Sequence, residues 1–474
     1  MNCVDRFLLQ VAEHPDRCAI WVPRGPSVTF RELSEYSGRL QKQFSDSGLN
    51  QGDPVLVFLG LDIDLYAVAI ALLSMGCPIL LIEPWMPASR VERALDVVKP
   101  KAFIAGTIGK VWGLRTHAIR RIPRWISPKR SGEAHALLIA SVDPEHPGIL
   151  AFTSGTTGEP KGAVRTHGYL LEQHSVFERN FHSPILSRKG SSDWCIFANF
   201  TFANLASGRT TILMPSSWRI SDFAAISSLP ESLAPATLTC GPAFLQKLLA
   251  SGMKFHSLQG VHVGGALTDC SLFEEAFRVM PNTDFLHVYG STEAEPVALM
   301  DARAAVRESR EAGFSQTLCL GRPVPEIRFE QTASTLWVTG SHVCPRYLAN
   351  ERENTLFKRV DSAGNTWHNM GDRIRISPTG TFWYQGRSQQ PTDEFTLEQE
   401  IYRILGHTAA FLHRDRKGLL WLLGENVTSF EKLIREKHPS IHYIENLRIL
   451  RDRRHRSRID RKTSLQKGAP WLAG

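Results

Sequence analysis

Residues 153–162 read Thr-Ser-Gly-Thr-Thr-Gly-Glu-Pro-Lys-Gly and follow the apolar run Gly148-Ile149-Leu150-Ala151-Phe152. A strand therefore leads into a loop rich in glycine and hydroxyls that carries a single lysine. Glycine lets a backbone approach a ligand with no Cβ in the way, while Ser154, Thr156 and Thr157 supply hydroxyl donors around the mobile charge of Lys161. Such a loop suits phosphate. It is not a Walker loop, because Pro160 precedes the lysine and Gly162 follows it, where that motif needs a glycine and then a Ser or Thr for magnesium. A plain surface turn is the competing reading, and ten consecutive residues of this composition argue against it.

The rest of the chain fits a large α/β protein. Helical periodicity alternates with short apolar runs at 54–59, 79–82 and 148–152, as expected of layered parallel sheets. Between 318 and 386 the strands shorten and the turns crowd together, which reads as a small antiparallel sheet or barrel. The polar connector Ser388-Gln389-Gln390-Pro391-Thr392-Asp393 then leads into a compact α+β segment, with helices expected at 396–406 and 428–437 and a strand at 418–423. The expected fold is thus a large N-terminal domain of parallel α/β layers with a small β-barrel-like part (1–386), a hinge (387–393) and a mobile C-terminal lid (394–474).

The longest uncharged run, between Asp64 and Glu83, is broken by Ser74, Gly76 and Pro78 and reads as a buried helix followed by a strand, not a membrane span. No secretory pattern opens the chain, and the eight cysteines include no Cys-x-x-Cys pair, so a cytoplasmic protein with reduced thiols and no zinc is expected. A net charge of +8 raises the question of a nucleic-acid partner. The basic tract at 448–462 lacks interleaved aromatic residues for base stacking, which favours phosphates of a nucleotide over a polymer.

The string at 153–162 resembles the phosphate loop of the AMP-forming adenylating superfamily, which includes acyl-CoA synthetases, peptide-synthetase adenylation domains and luciferases. Other segments fall into that family's order: Val28-Thr29-Phe30-Arg31-Glu32-Leu33, Gly264-Gly265-Ala266, Tyr289-Gly290-Ser291-Thr292-Glu293, Leu336-Trp337-Val338-Thr339-Gly340 and Met370-Gly371-Asp372-Arg373. The resemblance implies ATP and Mg²⁺ as partners of a carboxylic acid. It implies that Thr153, Ser154, Gly155, Thr156, Thr157, Gly158 and Lys161 hold phosphates, and that Glu293 and Thr156 hold the metal. Tyr289, with Gly264, Gly265, Ala266, Gly290, Ser291 and Thr292, would receive the adenine side, and Asp372 and Arg387 the ribose. Lys161 is expected on an exposed loop, so that its loss would spare the fold.

An apolar acyl pocket is expected between 197–202 and 261–266, lined by Phe200, Phe202, Val263 and Val297, although simple core packing fits the same phenylalanines. His174, His262 and His287 read as core or surface residues. The family's C-terminal catalytic lysine is replaced here by Arg458, whose planar fork differs from a point-charge ammonium. The loop after the hinge lacks the glycine-containing segment that lines a CoA tunnel. Local strings around 289–297, 367–372 and 452–460 are similar to fatty-acid ligase-like proteins that include the β-lactone synthetases of olefin biosynthesis. Two functions follow as expectations: adenylation of a fatty or β-hydroxy fatty acid, completed by CoA, a carrier-protein thiol, an amine or the acid's own hydroxyl, or a nucleotide- and acyl-binding protein that has lost turnover.

Overall fold

The computed structural model describes the chain except for residues 83–85, 115, 154–160, 183–191, 216, 313–318, 333–334, 389–390, 406–408, 452–458 and 473–474, and describes Thr392 by its backbone alone. Two sheets dominate. The first has six strands in the spatial order Arg124–Ile126, Ala102–Ala105, Val55–Phe58, Ile79–Leu81, Pro147–Thr153 and Lys161–Thr166, parallel throughout except for the last pair. The second has nine, in the order Arg322–Pro323, Ala294–Asp301, Asp284–Ser291, Gly260–Val263, Thr237–Cys240, Ser192–Cys195, Thr210–Leu213, Cys18–Trp21 and Ser27–Thr29. Its six middle strands, from Asp284–Ser291 to Cys18–Trp21, run parallel.

Between the sheets sits a helical layer. Helix Ile63–Ser74 is buried on almost every face, which suits its nearly uniform apolar sequence, and it shares one core with helix Phe30–Asp46 and with strands of both sheets. Both helices start where side chains can cap them. Asp62 accepts from the Leu65 amide, and Thr29 forms a reciprocal box with Glu32, so the Thr-Phe-Arg-Glu-Leu string is in physical terms a helix start. Among the described residues no helix is long and apolar enough to cross a membrane, and all eight cysteines are free.

Residues 328–387 form the antiparallel region as a four-stranded sheet (Arg328–Gln331, Leu336–Thr339, Thr366–Asn369, Lys358–Val360) with the hairpin Asp372–Ile376/Phe382–Arg387 beside it. Both share a core with Tyr289, Ala294, Val297 and Ala298 of the nine-stranded sheet. From residue 397 onward the chain builds two cores of its own around the three strands Ala410–Arg414, Leu420–Gly424 and Tyr443–Asn446. Strand Phe382–Arg387 and helix Thr392–Leu405 leave only residues 388–391 as the connection.

Candidate active site

The ribose-side residues meet because of strand register. Asp372 begins one strand of its hairpin and lies directly opposite Arg387, which ends the other. Their ion pair spans 3.0 Å, and the Tyr289 hydroxyl donates to the second Asp372 oxygen at 2.7 Å. The Asp372 charge raises the Arg387 guanidinium further, and burial, with Asp372 beside it, pushes the Tyr289 phenol well above its usual range. Gly264 follows strand Gly260–Val263 and packs on the next strand so closely that a Cβ would lie 3.0 Å from Val288 Cβ and carbonyl, which excludes any larger residue there without rearrangement. Tyr289, Gly290 and Ser291 end that neighbouring strand, and Thr292 and Glu293 form its turn into Ala294–Asp301.

On the side expected to hold phosphate, Thr153 pairs with Lys161 at the joined end of the hairpin Pro147–Thr153/Lys161–Thr166, next to the seven residues that connect the two strands. Ser154, Gly155, Thr156, Thr157 and Gly158 fall within 154–160, outside the described residues, as does Arg458. Gly162 is demanded by the Phe152 ring, which an added Cβ would approach to 2.6 Å. Lys161 is not on an exposed loop. It is 6% exposed at the head of its strand, its ammonium lies 2.5 Å from the Glu353 carboxylate, and it sits over the Phe357 ring at 3.6 Å. The strand continues inward, carrying the lysine with it, and helix Glu351–Phe357, capped by Asn350, brings Glu353 up to meet it.

A short strap ties this hairpin to Glu293. Val343 bridges Ala294, Tyr347 bridges Ala163, and the Leu348 amide donates to the Gly162 carbonyl. Three groups pin the Glu293 turn: Arg165 donates to the Thr292 carbonyl at 2.8 Å, the Cys344 amide donates to the Glu293 carbonyl at 2.7 Å, and the Tyr347 hydroxyl donates to Glu293 Oε1 at 2.8 Å. Burial works against charge on Glu293, but neighbouring His368 and Lys358 and the Tyr347 hydroxyl outweigh it and bring the carboxyl down to about 2. Burial, reinforced by the Lys358 charge, lowers His368 itself to about 3, so near neutrality Lys358 and Tyr347 are what keep Glu293 ionised. Lys358 in turn donates to the Cys344 carbonyl.

The donor set fits Mg²⁺ held jointly by protein and nucleotide. Glu293 is an ionised, half-exposed carboxylate, and among the described residues no cluster of three or more acidic, His or Cys side chains forms a closed cage. Magnesium is usually held by one or two carboxylates with substrate phosphates and water completing its shell, which is what a single carboxylate beside a phosphate loop provides.

The four residues expected to line one acyl pocket are not brought together. Phe200 and Phe202 lie two apart on helix Ala198–Ala206 and so face different ways. Phe200 stacks on Phe177 at 4.5 Å, whereas Phe202 packs on Tyr66 in the core between the sheets. Val263 turns to the helices behind the sheet, and Val297 joins the core of the antiparallel region. The apolar cluster next to Gly264 is instead Phe177, Phe181, Phe197, Phe200, Leu286 and Val288.

His262, one residue before Val263 and therefore on the opposite face of the strand, meets that cluster through Phe181 at 5.3 Å. Its Nδ1 lies 3.1 Å from the Thr239 hydroxyl, at the edge of a buried network in which Thr237 and Asn204 donate to Asp193 at 2.6 and 2.9 Å. His262 is 1% exposed, a core residue as expected, and strand alternation counted from Gly264 gives the face it takes. His287 is buried and donates from Nδ1 to the Cys319 carbonyl, and His174 pairs with Ser207, as ordinary core residues do.

The family model for AMP-binding enzymes matches residues 7–332. The chain is 25% identical over 461 residues to malpinin synthetase of Mortierella alpina, covering 89% of this chain but only 6% of that much longer protein. It is 22% identical over 450 residues to olefin beta-lactone synthetase of Stenotrophomonas maltophilia, covering 82% of this chain and 79% of its relative. The fold is also that of O-succinylbenzoate coenzyme A synthetase from Bacillus subtilis, solved with ATP and magnesium, at a TM-score of 0.77 and 17% identity over 95% of this chain and 97% of that one.

Proposed function

The chain belongs to the AMP-binding enzyme family, and from that premise we propose that it adenylates a hydrophobic carboxylic acid with ATP. The observation that carries this reading is Asp372, held between Tyr289 and Arg387 at a hairpin start, with Glu293 ionised one strand turn away. Each carboxylate oxygen has two lone pairs, so Asp372 can accept from ribose hydroxyls while keeping both protein partners.

In the first step an acid carboxylate oxygen bonds to the α-phosphorus, the bond from that phosphorus to the bridging oxygen breaks, and pyrophosphate leaves with the electron pair. Loop hydroxyls and amides together with Lys161 stabilise charge that grows on the phosphate oxygens. To reach a phosphate, Lys161 has to leave Glu353. Mg²⁺, when bound through Glu293 and Thr156, supplies further charge neutralisation and orients the triphosphate. Arg387 and Asp372 hold the nucleotide, and the C-terminal unit closes over it from the connection at 388–391, shorter than the expected hinge of 387–393, bringing Arg458 toward the reacting groups.

The apolar cluster around Phe177, Phe181 and Phe200 supports a fatty or β-hydroxy fatty acid. Acyl transfer then goes to the thiol of CoA or, in the reading that the altered post-hinge loop and the likeness to olefin beta-lactone synthetase support, to the acid's own β-hydroxyl. In that closure the hydroxyl oxygen bonds to the acyl carbon, its proton leaves, and AMP departs. An intramolecular nucleophile has a high effective concentration and needs no tunnel. No observation favours the turnover-lost reading.

Pyrophosphate release across a panel of fatty, β-hydroxy and aryl acids, with and without CoA, tests the proposal. Release that depends on the acid and is indifferent to CoA supports lactone closure, and release only with CoA supports thioester formation. No release from any acid refutes adenylation.

A further inference from the structure

Tyr347 lies 54 residues beyond Glu293 and in none of the motifs, yet it touches both charged halves of the phosphate site. Its ring lies 5.6 Å from the Lys161 ammonium and 5.3 Å from that of Lys358, with His368 edge-on at 6.4 Å. Its hydroxyl donates to Glu293 Oε1 at 2.8 Å. It is 2% exposed and its backbone is clamped: the Tyr347 amide donates to Asn354 Oδ1 at 2.8 Å, and Asn354 Nδ2 donates to the Tyr347 carbonyl at 2.9 Å.

We propose that Tyr347 is a positioning residue for the divalent cation, its hydroxyl fixing the Glu293 carboxylate in the orientation that receives the metal and its ring tying that carboxylate to Lys161. Glu293 sits on a turn and is only partly buried, so its side chain has rotamers to lose, and Lys358 is the neighbouring cation onto which it could fold. Lys358 is committed to the Cys344 carbonyl, and the Tyr347 hydroxyl holds the carboxylate without neutralising it. Groups that hydrogen-bond a metal ligand in this way set its direction and basicity. The inference rests on Glu293 being the metal carboxylate.

Tyr347→Phe keeps the ring and removes only the donor. Binding of Mn²⁺ to the full chain with a non-hydrolysable ATP analogue, followed by the electron paramagnetic resonance of free Mn²⁺, should weaken by roughly 10- to 100-fold in this variant. Affinity for the analogue without metal should not change. In a Glu293→Gln background, Tyr347→Phe should cause no further loss, because the two residues act through one contact. Unchanged Mn²⁺ affinity, or the same loss in both backgrounds, overturns the proposal. Should Tyr347→Phe fail to fold, Asn354→Ala releases the backbone clamp and should weaken Mn²⁺ in the same direction, and unchanged affinity there overturns it equally. Wild-type protein that binds no Mn²⁺ with nucleotide overturns the underlying function along with the proposal, whereas wild-type binding with an unaffected Tyr347→Phe overturns the proposal alone.

Discussion

The proposed phosphate side and the proposed acyl side are made of opposite materials. At the first the protein has buried Lys161 against Glu353 and set the Tyr347 hydroxyl on Glu293, with the charges of His368 and Lys358 close by. Around Phe177, Phe181 and Phe200 it has packed rings whose contacts are non-directional and tolerate change of shape. A charged constellation is fixed by geometry and leaves little room for variation. An apolar cluster needs only volume, so on the proposed function substrate choice would vary more easily there than nucleotide binding.

The sharpest way to break that contrast is Lys161→Ala. It removes the ammonium beside the Glu353 carboxylate, which is only 2% exposed, and losing one member of a buried ion pair costs about 3–5 kcal/mol. Urea denaturation should show it, and Lys161→Met with Glu353→Leu should recover much of the stability but none of the adenylation. Unchanged stability in the single variant would mean the pair is solvated. Next, Asp372→Asn should raise the KM for ATP by roughly tenfold or more, since charge-assisted bonds contribute about 1.5–3 kcal/mol, with the acid's KM unmoved.

On the other side, Phe200→Leu should cost about 1 kcal/mol by loss of ring volume and shift preference among acids by chain length, leaving ATP kinetics alone. If ATP kinetics change instead, the two sides are not separable. A further effect is in acid. Burial lowers His287 to about 4 and His368 to about 3, below the 6.5 of the unfolded chain. The unfolded state therefore binds more protons below pH 6.5, and stability falls from there down to about pH 4 on account of His287 and about pH 3 on account of His368. The slope is at most about 1.4 kcal/mol per pH unit for each histidine. It should flatten in His287→Gln, as thermal unfolding across that range would record.

What could be read from sequence followed the same division. Helix starts, the strand before the phosphate loop, the antiparallel region and the α+β character of the C-terminal part all have local causes: Thr29 caps, apolar runs alternate, and turn residues cluster. Glu353, Tyr347 and Lys358 were illegible because they reach Lys161 and Glu293 across long sequence separations, and nothing in their own neighbourhoods announces a partner. On the acyl side the errors were of phase. Phe200 and Phe202 cannot share a helix face, and on strand Gly260–Val263 it is His262, not Val263, that turns to the rings.

The strap from Val343 to Leu348 bears on how such a scaffold could be recombined. Bridged to Ala294 at one end and to Ala163 near the other, it makes three stretches of chain interdependent although they are far apart in the gene. A chimaera that takes the Lys161 hairpin from one parent and the Tyr-Gly-Ser-Thr-Glu turn from another must inherit the strap matched to both, so productive crossover points lie outside 161–348 or come in pairs within one intervening stretch.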